Sequence, residues 1–347
     1  MVLIITHSKD NDGHFSGAIC QYFEETIKKT NPLEINYLRW SYGDKDPSIQ
    51  ELNGYERIYI LDLTLSPQIM EFLAMGYQGG VVWIDHHKAN YEKLPDYIHN
   101  RIPGTRSDEK AACVLTWDWW LNFLGPDKVR DLLEFNQRVA DAFPALELDE
   151  SVFYNTDPAW VNNRVFYPLW LYLIGCYDIW KWNGTELWDK MIIPYEYYLR
   201  GDLEDGPKGA YKIIKSYFDC IDAITIPDYT TCLTVGRTVF KYQSKRDSGT
   251  LGNLYKTTVV NETNGQKVNC LVINTLDRGI RIFNGISPEL REWTDYFILW
   301  NCTGRKYKYS AYSEKDNVFV PDLMLKGCRF GGHPHAGGVV VDKKRLL

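Results

Sequence analysis

Three apolar runs, each stopping at residues that bind metals, constrain this chain more than any other feature. Val2–Thr6 is an unbroken, β-branched run that leads into His7. Arg57–Leu63 reads as a second strand and carries Asp62 near its end, and Gly80–Ile84 leads into Asp85-His86-His87. Runs without polar alternation suit strands covered on both faces. Between them, Ser16–Thr30 has helical spacing, with Ala18, Ile19, Tyr22 and Phe23 on one face. Ile35–Trp40 reads as another strand, and Ser66–Met75 as a helix opened by Ser66-Pro67. Such alternation predicts an α/β domain, a parallel sheet with helices on both faces, which binds ligands at the carboxyl ends of its strands. The charged endings then share one edge. They gather His7, Asp10, Asp12, Asp62, Asp85, His86 and His87 in one crevice.

Each stretch alone has an ordinary reading. Asn11-Asp12-Gly13 is common turn chemistry, Asp62 suits a helix cap or loop, and Asp85-His86-His87 suits a solvated loop. A calcium loop of the EF-hand type is excluded, because aligning its glycine on Gly13 puts Ile19 where a glutamate is required. In conjunction the acids need a cation, since so many carboxylates do not sit together ionised without one. Mixed His/Asp ligands suit Mn²⁺, Fe²⁺, Zn²⁺ or Co²⁺ better than Ca²⁺. Six of the seven histidines lie in three stretches, His7–His14, His86-His87 and His333-Pro334-His335.

A chain of 347 residues predicts two domains. Lys110–Phe123, Pro126–Ala142 and much of Val165–Lys181 look helical, as does Tyr211–Cys220. From Thr231 the texture turns β-rich, through Cys232–Tyr242, Leu254–Val260, Val268–Asn274, Tyr296–Trp300 and Tyr307–Tyr312. Ser287–Glu292 and Asp322–Lys326 read as helical pieces, and Gly338–Asp342 as a last strand. The net charge of −6 argues against a long electrostatic track for nucleic acid. Twelve Trp, 24 Tyr and 14 Phe supply rings for cores or for stacking on bases. Trp117, Trp119 and Trp120 sit at helical spacing and read as core. The longest apolar stretch, around Leu169–Cys176, is far below the roughly 20 residues of a spanning helix. Eight scattered cysteines without a CxxC pair, and a start without a basic leader, fit a cytoplasmic protein.

The order His7…Asp10-Asn11-Asp12-Gly13, Asp62, Asp85-His86-His87 and Gly331-Gly332-His333-Pro334-His335-Ala336-Gly337-Gly338 resembles the DHH/DHHA1 phosphoesterase family, which includes RecJ-like exonucleases, oligoribonucleases and cyclic-dinucleotide phosphodiesterases. The pattern spans nearly the whole chain. The resemblance implies a DHH catalytic domain over 1–185, a helical connector over 186–230 and a smaller α/β, DHHA1-like substrate domain over 231–347. It also implies two Mn²⁺ ions, with Mg²⁺, Co²⁺ or Fe²⁺ as alternatives. His7 and Asp10 would hold one ion; Asp12, His86 and a fourth-motif acid the other; Asp62 would bridge. Asp178, in Tyr177-Asp178-Ile179-Trp180, is the chosen fourth acid and Asp141 its competitor. Asp62, Asp85, His86 and His87 form the expected catalytic set, in which Asp85 orients a ligand histidine and His87 faces the substrate phosphate. Arg329, Gly332, His333 and His335 are expected to bind substrate.

Two departures from the family stand out. The glycine run before His333 is short, and Tyr309-Ser310-Ala311-Tyr312-Ser313 replaces a strand that normally ends in Ser-Leu-Arg-Ser. The missing arginine leaves Arg329 or Lys308 to grip phosphate and Tyr312 to stack on a base. Lys88, Arg106 and Lys110 are further basic candidates near the site, read as solvated surface charges ahead of phosphate clamps. The function expected is hydrolysis of short oligonucleotides or of linear or cyclic dinucleotides to mononucleotides. A pair of ions about 3.5–4 Å apart would activate the attacking water. The alternatives are a single-phosphate hydrolase acting on pyrophosphate, a cyclic mononucleotide or 3′-phosphoadenosine 5′-phosphate; a single-strand-specific exonuclease; and a silent nucleotide-binding protein. Expected partners are the short substrate and a second copy of the chain, with no long duplex and no membrane.

Overall fold

Strand β1 (Val2–His7) is buried from Val2 to Thr6 and only its last residue, His7, is partly exposed. In the computed structural model it pairs in parallel with β2 (Ile35–Trp40) on one side and β3 (Arg57–Leu61) on the other, and β4 (Gly80–Ile84) joins β3 in parallel. The order β2-β1-β3-β4 places the switch in direction between β1 and β3. Ligands gather at such a switch, outside the carboxyl ends of the strands. The structure describes residues 1–141, 167–202, 206–223, 225, 227–275, 280–303 and 306–342; the side chains of Asp141 and His333 lie outside the described residues. Met1–Phe240 and Lys241–Leu347 form two separate units.

Helix α1 (Asn11–Thr26) starts five residues earlier than its apolar spacing predicts. Asp10 is the reason: its carboxylate accepts the Gly13 N–H at 3.0 Å and caps the helix. Asp10–Gly13 is therefore the start of a helix rather than a surface turn. Gly13 allows the close approach, because a Cβ there would meet the His7 Cβ at 2.8 Å and the His7 carbonyl closer still. Helix α1 buries Phe15, Ala18, Ile19 and Phe23 against Trp117, Trp120 and Trp170. Of the three tryptophans expected in the core, Trp117 and Trp120 are buried and Trp119 partly so. Helix α2 (Pro67–Met75) begins at the predicted Ser66-Pro67. Segment 103–107 runs beside β4, with Trp83 N–H on Pro103 O at 2.9 Å and Asp85 N–H on Thr105 O at 3.1 Å. That pairing occupies backbone groups an edge strand would expose.

Helices α3 (Ala112–Leu121), α4 (Pro126–Asp141), α5 (Leu169–Asp178), α6 (Ile193–Asp202) and α7 (Pro207–Ala223) follow. Among the described residues no helix is long and apolar enough to cross a membrane. The run Cys232–Tyr242, expected as β, lies instead in helix α8 (Tyr229–Thr250). Its β-branched residues mislead. Tyr229, Leu233 and Phe240 recur at helical spacing on the core side, and Gly236 comes down on the Pro194 carbonyl of α6.

The second unit is a mixed α/β unit. Strands β5 (Leu254–Val260), β6 (Lys267–Asn274), β7 (Tyr296–Thr303) and β8 (Lys306–Tyr312) precede a short hairpin, β9 (Met324–Leu325) and β10 (Cys328–Arg329), and then β11 (Gly331–His333) and β12 (Ala336–Asp342). The large sheet has the order β11-β12-β8-β7-β6-β5, with only β6 and β7 parallel among its pairs. Helix α9 (Pro288–Trp293) falls where a helical piece is predicted. Asp322–Lys326, expected as helical, holds only the end of a 3₁₀ turn (Val320–Asp322) and then strand β9. Lys326 and Gly327 both take positive φ, 48° and 75°, which closes a two-residue hairpin.

Candidate metal centre

Strands β1, β3 and β4 deliver their side chains to one edge, as expected from parallel register. His7 closes β1, Asp62 follows β3, and Asp85-His86-His87 follow β4. Asp62 is 1 % exposed and holds a left-handed backbone with φ 63°. Aspartate tolerates that region better than most residues, but it is a sparsely populated one that persists where surrounding structure enforces it. Its N–H is tied to Ile84 O at 2.9 Å.

One group forms around His7. His7 Nδ1 lies 2.8 Å from Asp10 Oδ2 and 3.6 Å from Asp62 Oδ2. A second forms around His86, whose Nε2 lies 3.1 Å from Asp62 Oδ1, 3.3 Å from Asp178 Oδ2 and 3.4 Å from Asp12 Oδ2. Asp62 thus turns one oxygen to each group. Donor atoms of His7, Asp10 and Asp62 lie within 4.8 Å of one another, as do those of Asp12, His86 and Asp178, and those of Asp62, His86 and His87. The chain residues that supply them are far apart, and helix α5 ends on Asp178, where a negative charge opposes the helix dipole.

The donor set fits divalent cations. Both oxygens of Asp62 and Oδ2 of Asp178 are buried and accept no hydrogen bond within the described residues. Buried carboxylate oxygens without donors are costly, and a metal ion satisfies them. Asp12 is braced differently: the N–H groups of Ala112 and Cys113, at the start of α3, donate to its two oxygens at 2.8 and 2.7 Å.

The electrostatics point the same way. Burial pulls the His7 pKa down, but Asp10 and Asp62 outweigh it and lift it to about 11. Burial likewise opposes charge on His86, yet Asp178, Asp62 and Asp12 hold it well above the usual imidazole range. Burial first, then the Asp62 charge, pushes Asp12 up to about 7, and burial and Asp12 push Asp178 well above the usual carboxylate range. Left to protein groups alone, the cluster keeps protons to balance its acids. A divalent cation does the same work and displaces them.

The histidine that Asp85 holds is His87. Asp85 Oδ1 accepts from the His87 backbone N–H at 3.0 Å and lies 2.8 Å from His87 Nδ1. Thr64 donates its hydroxyl to Asp85 Oδ2 at 2.5 Å. Sequence reasoning missed Thr64, although its place two residues after Asp62, on the same strand end, is a usable signal. It also missed Tyr42, whose ring centroid lies 5.9 Å from that of His7 and 5.7 Å from that of His87. Lys88 pairs with Asp108 at 3.4 Å and Lys110 with Asp118 at 2.8 Å. Arg106, expected as a surface charge, donates to the backbone carbonyls of Trp83, Ile102 and His99. His14 lies in α1 beside Arg39, its Nε2 3.4 Å from the guanidinium, and burial lowers its pKa.

The remaining expected site residues belong to the second unit. Arg329 ends β10, and Gly332 and His333 lie in β11. His335 sits in the hairpin turn with its ring 5.9 Å from Phe319. Gly332 has φ 131°, and a Cβ there would meet the Gly337 Cα at 2.6 Å. Close packing of this hairpin accounts for these two glycines.

No protein-family model matches the sequence, and no curated protein matches it. Solved structures similar to the chain include an uncharacterized protein from Helicobacter pylori G27, at 15 % identity over 100 % of this chain and 94 % of that one, with a TM-score of 0.29. A pGpG-specific phosphodiesterase from Vibrio cholerae shares 14 % identity over 99 % of this chain and 94 % of its own, with a TM-score of 0.35. The exonuclease RecJ bound to manganese shares 13 % over 99 % of this chain and 86 % of its own, with a TM-score of 0.45. Identities and TM-scores this low leave the reading of function to the side chains of the site.

Proposed function

We propose that the protein is a DHH/DHHA1-type, manganese-dependent phosphodiesterase that hydrolyses short oligonucleotides or linear or cyclic dinucleotides. One observation carries this reading: the buried Asp62 carboxylate faces only imidazoles and acids of the cluster among the described residues, and stands between a His7–Asp10 group and an Asp12–His86–Asp178 group. His7 and Asp10 would hold one cation, Asp12, His86 and Asp178 the second, and Asp62 both. The cations, when bound, would lower the pKa of a water toward neutrality and offset charge developing on the phosphoryl oxygens.

The chain's own groups would do the rest. Thr64 and Asp85 would orient the His87 ring through its Nδ1, and the ring would meet a phosphate oxygen of the substrate. Arg329, His333 and His335 would contribute to substrate binding. Gly332 would keep the β11–β12 hairpin backbone tight beside His335.

The test is a product analysis. Purified protein with Mn²⁺ is incubated with a ladder of labelled oligonucleotides, cyclic dinucleotides and pyrophosphate. Mononucleotides from the shortest members support the reading. Inorganic phosphate as the only product points to a single-phosphate hydrolase, and preference for long single strands to an exonuclease. Binding without turnover overturns the enzymatic reading.

A further inference from the structure

Glu196 in helix α6 is an acid where none is expected, in the run Ile192-Ile193-Pro194-Tyr195-Glu196-Tyr197-Tyr198, and it is 6 % exposed. A buried carboxylate is tolerated when its oxygens are paired. Both oxygens of Glu196 are. Oε2 accepts from the Asn11 side-chain amide at 2.9 Å, and Oε1 accepts from Arg200 Nε at 3.0 Å. Arg200 continues the line by donating from Nη2 to the Tyr177 hydroxyl at 3.0 Å, and its guanidinium lies over the Tyr197 ring at 5.0 Å. The Tyr177 ring stacks on Trp188 at 5.7 Å with the planes 8° apart.

The two ends of this chain of contacts are informative. Asn11 sits between Asp10 and Asp12, and Tyr177 immediately precedes Asp178. Asp12, Asp62 and Asp178 converge on one imidazole nitrogen within 3.1–3.4 Å, and like charges so close repel. Asp62 is held by the sheet. Asp178 ends a helix and has no strand of its own to hold it against Asp12.

We propose that Glu196 is a positioning residue: with Asn11 on one side and Arg200–Tyr177 on the other, it clips the start of α1 to the end of α5 and sets the spacing of Asp12 and Asp178. The clip serves chemistry only if these acids hold cations, as proposed above. It touches neither cation nor substrate.

Manganese titration by calorimetry separates the two ideas, with the thermal midpoint of chelator-treated protein measured alongside. Glu196→Gln keeps the shape and removes the charge that pairs with Arg200. Asn11→Ala leaves the Glu196–Arg200 pair and cuts the other arm, so it decides the matter if Glu196→Gln does not fold. Both variants are expected to bind the weaker of two Mn²⁺ ions about 10- to 100-fold less tightly, the loss typical of an outer partner of a ligand. Saturating Mn²⁺ should restore most of kcat, because the clip sets spacing and supplies no reacting group. Wild-type uptake of two ions with unchanged affinity in both folded variants overturns the clip alone. A wild type that takes up no manganese overturns the metal centre, and the clip with it.

Discussion

Asp62 Oδ1 stands 3.1 Å from His86 Nε2 while Asp62 Oδ2 stands 3.6 Å from His7 Nδ1, so one carboxylate spans imidazoles brought in by two different strands. Asp62→Asn keeps the left-handed backbone, which asparagine also tolerates, and removes the charge. Turnover should fall by more than the roughly 100-fold that loss of an outer partner costs. Manganese uptake should drop by at least one ion. The thermal midpoint of chelator-treated protein should fall, because burial works against the Asp62 charge but His7, His86 and His87 hold its pKa well below the usual carboxylate range, and that pairing is lost. Calorimetry and a melting curve check this, and retained turnover removes the metal assignment.

Thr64→Val tests the support of His87. The change is nearly isosteric and leaves Asp85 Oδ2 without the hydroxyl that donates to it at 2.5 Å. The expected outcome is a 10- to 100-fold loss of kcat, on the order seen for lost orienting bonds, with Mn²⁺ affinity unchanged. Parallel loss of Mn²⁺ binding would place the Asp85–His87 pair in metal holding instead of substrate contact.

The centre of the sheet was legible because β1, β3 and β4 are largely buried and announce themselves as apolar runs ending in ligand-type residues. Val2–Thr6 and Gly80–Ile84 are examples, and their parallel pairing follows from the helices between them. Asp178 was legible only as an acid after an apolar stretch. What brings it within 3.3 Å of His86 is tertiary packing, which local sequence does not encode. The start of α1 was misplaced because Asp10 serves two ends at once, capping the helix and facing His7. Helix α8 was misread because β-branched density outweighed a helical period that becomes decisive only once α6 lies against Gly236. Glu196 was missed because its contact to Asn11 joins helices far apart in sequence, and Thr64 because its partner Asp85 follows another strand.

Removing metal should make stability depend on pH in one direction. Asp12, raised to about 7 in the folded chain, binds its proton there more tightly than in the unfolded chain. It therefore favours folding most below its unfolded pKa near 4, and that contribution is lost as pH rises through about 7. His7, raised to about 11, loses its contribution between about 6.5 and 11. Chelator-treated protein should grow less stable from pH 5 to pH 9. Added Mn²⁺ should release protons, bind more tightly as pH rises, and widen the gap in melting temperature between loaded and stripped protein. Melting curves at several pH values, with titrations in buffers of different ionisation enthalpy, check this. A gap that narrows with pH contradicts it.

Glu24 is a second buried glutamate, and its surroundings mark it as structural. It is fully buried on α1 and is held by Arg57 Nη2 at 2.8 Å, by the Thr30 hydroxyl at 2.6 Å and by a short bond from the Tyr59 hydroxyl. Arg57 and Tyr59 lie in β3, so the network bolts the far end of α1 to the sheet, away from the metal-binding edge. Arg57→Ala leaves the carboxylate with its two hydroxyl donors and no charge partner. Breaking one side of a buried pair costs about 3–5 kcal/mol, and the lower end applies because Arg57 is one-third exposed. Urea unfolding should show a loss of about 3 kcal/mol with Mn²⁺ affinity preserved. Arg57→Ala combined with Glu24→Gln should recover much of that loss, since no buried charge is then left alone. A double variant no more stable than the single one would mean that Arg57 acts through packing and not through Glu24.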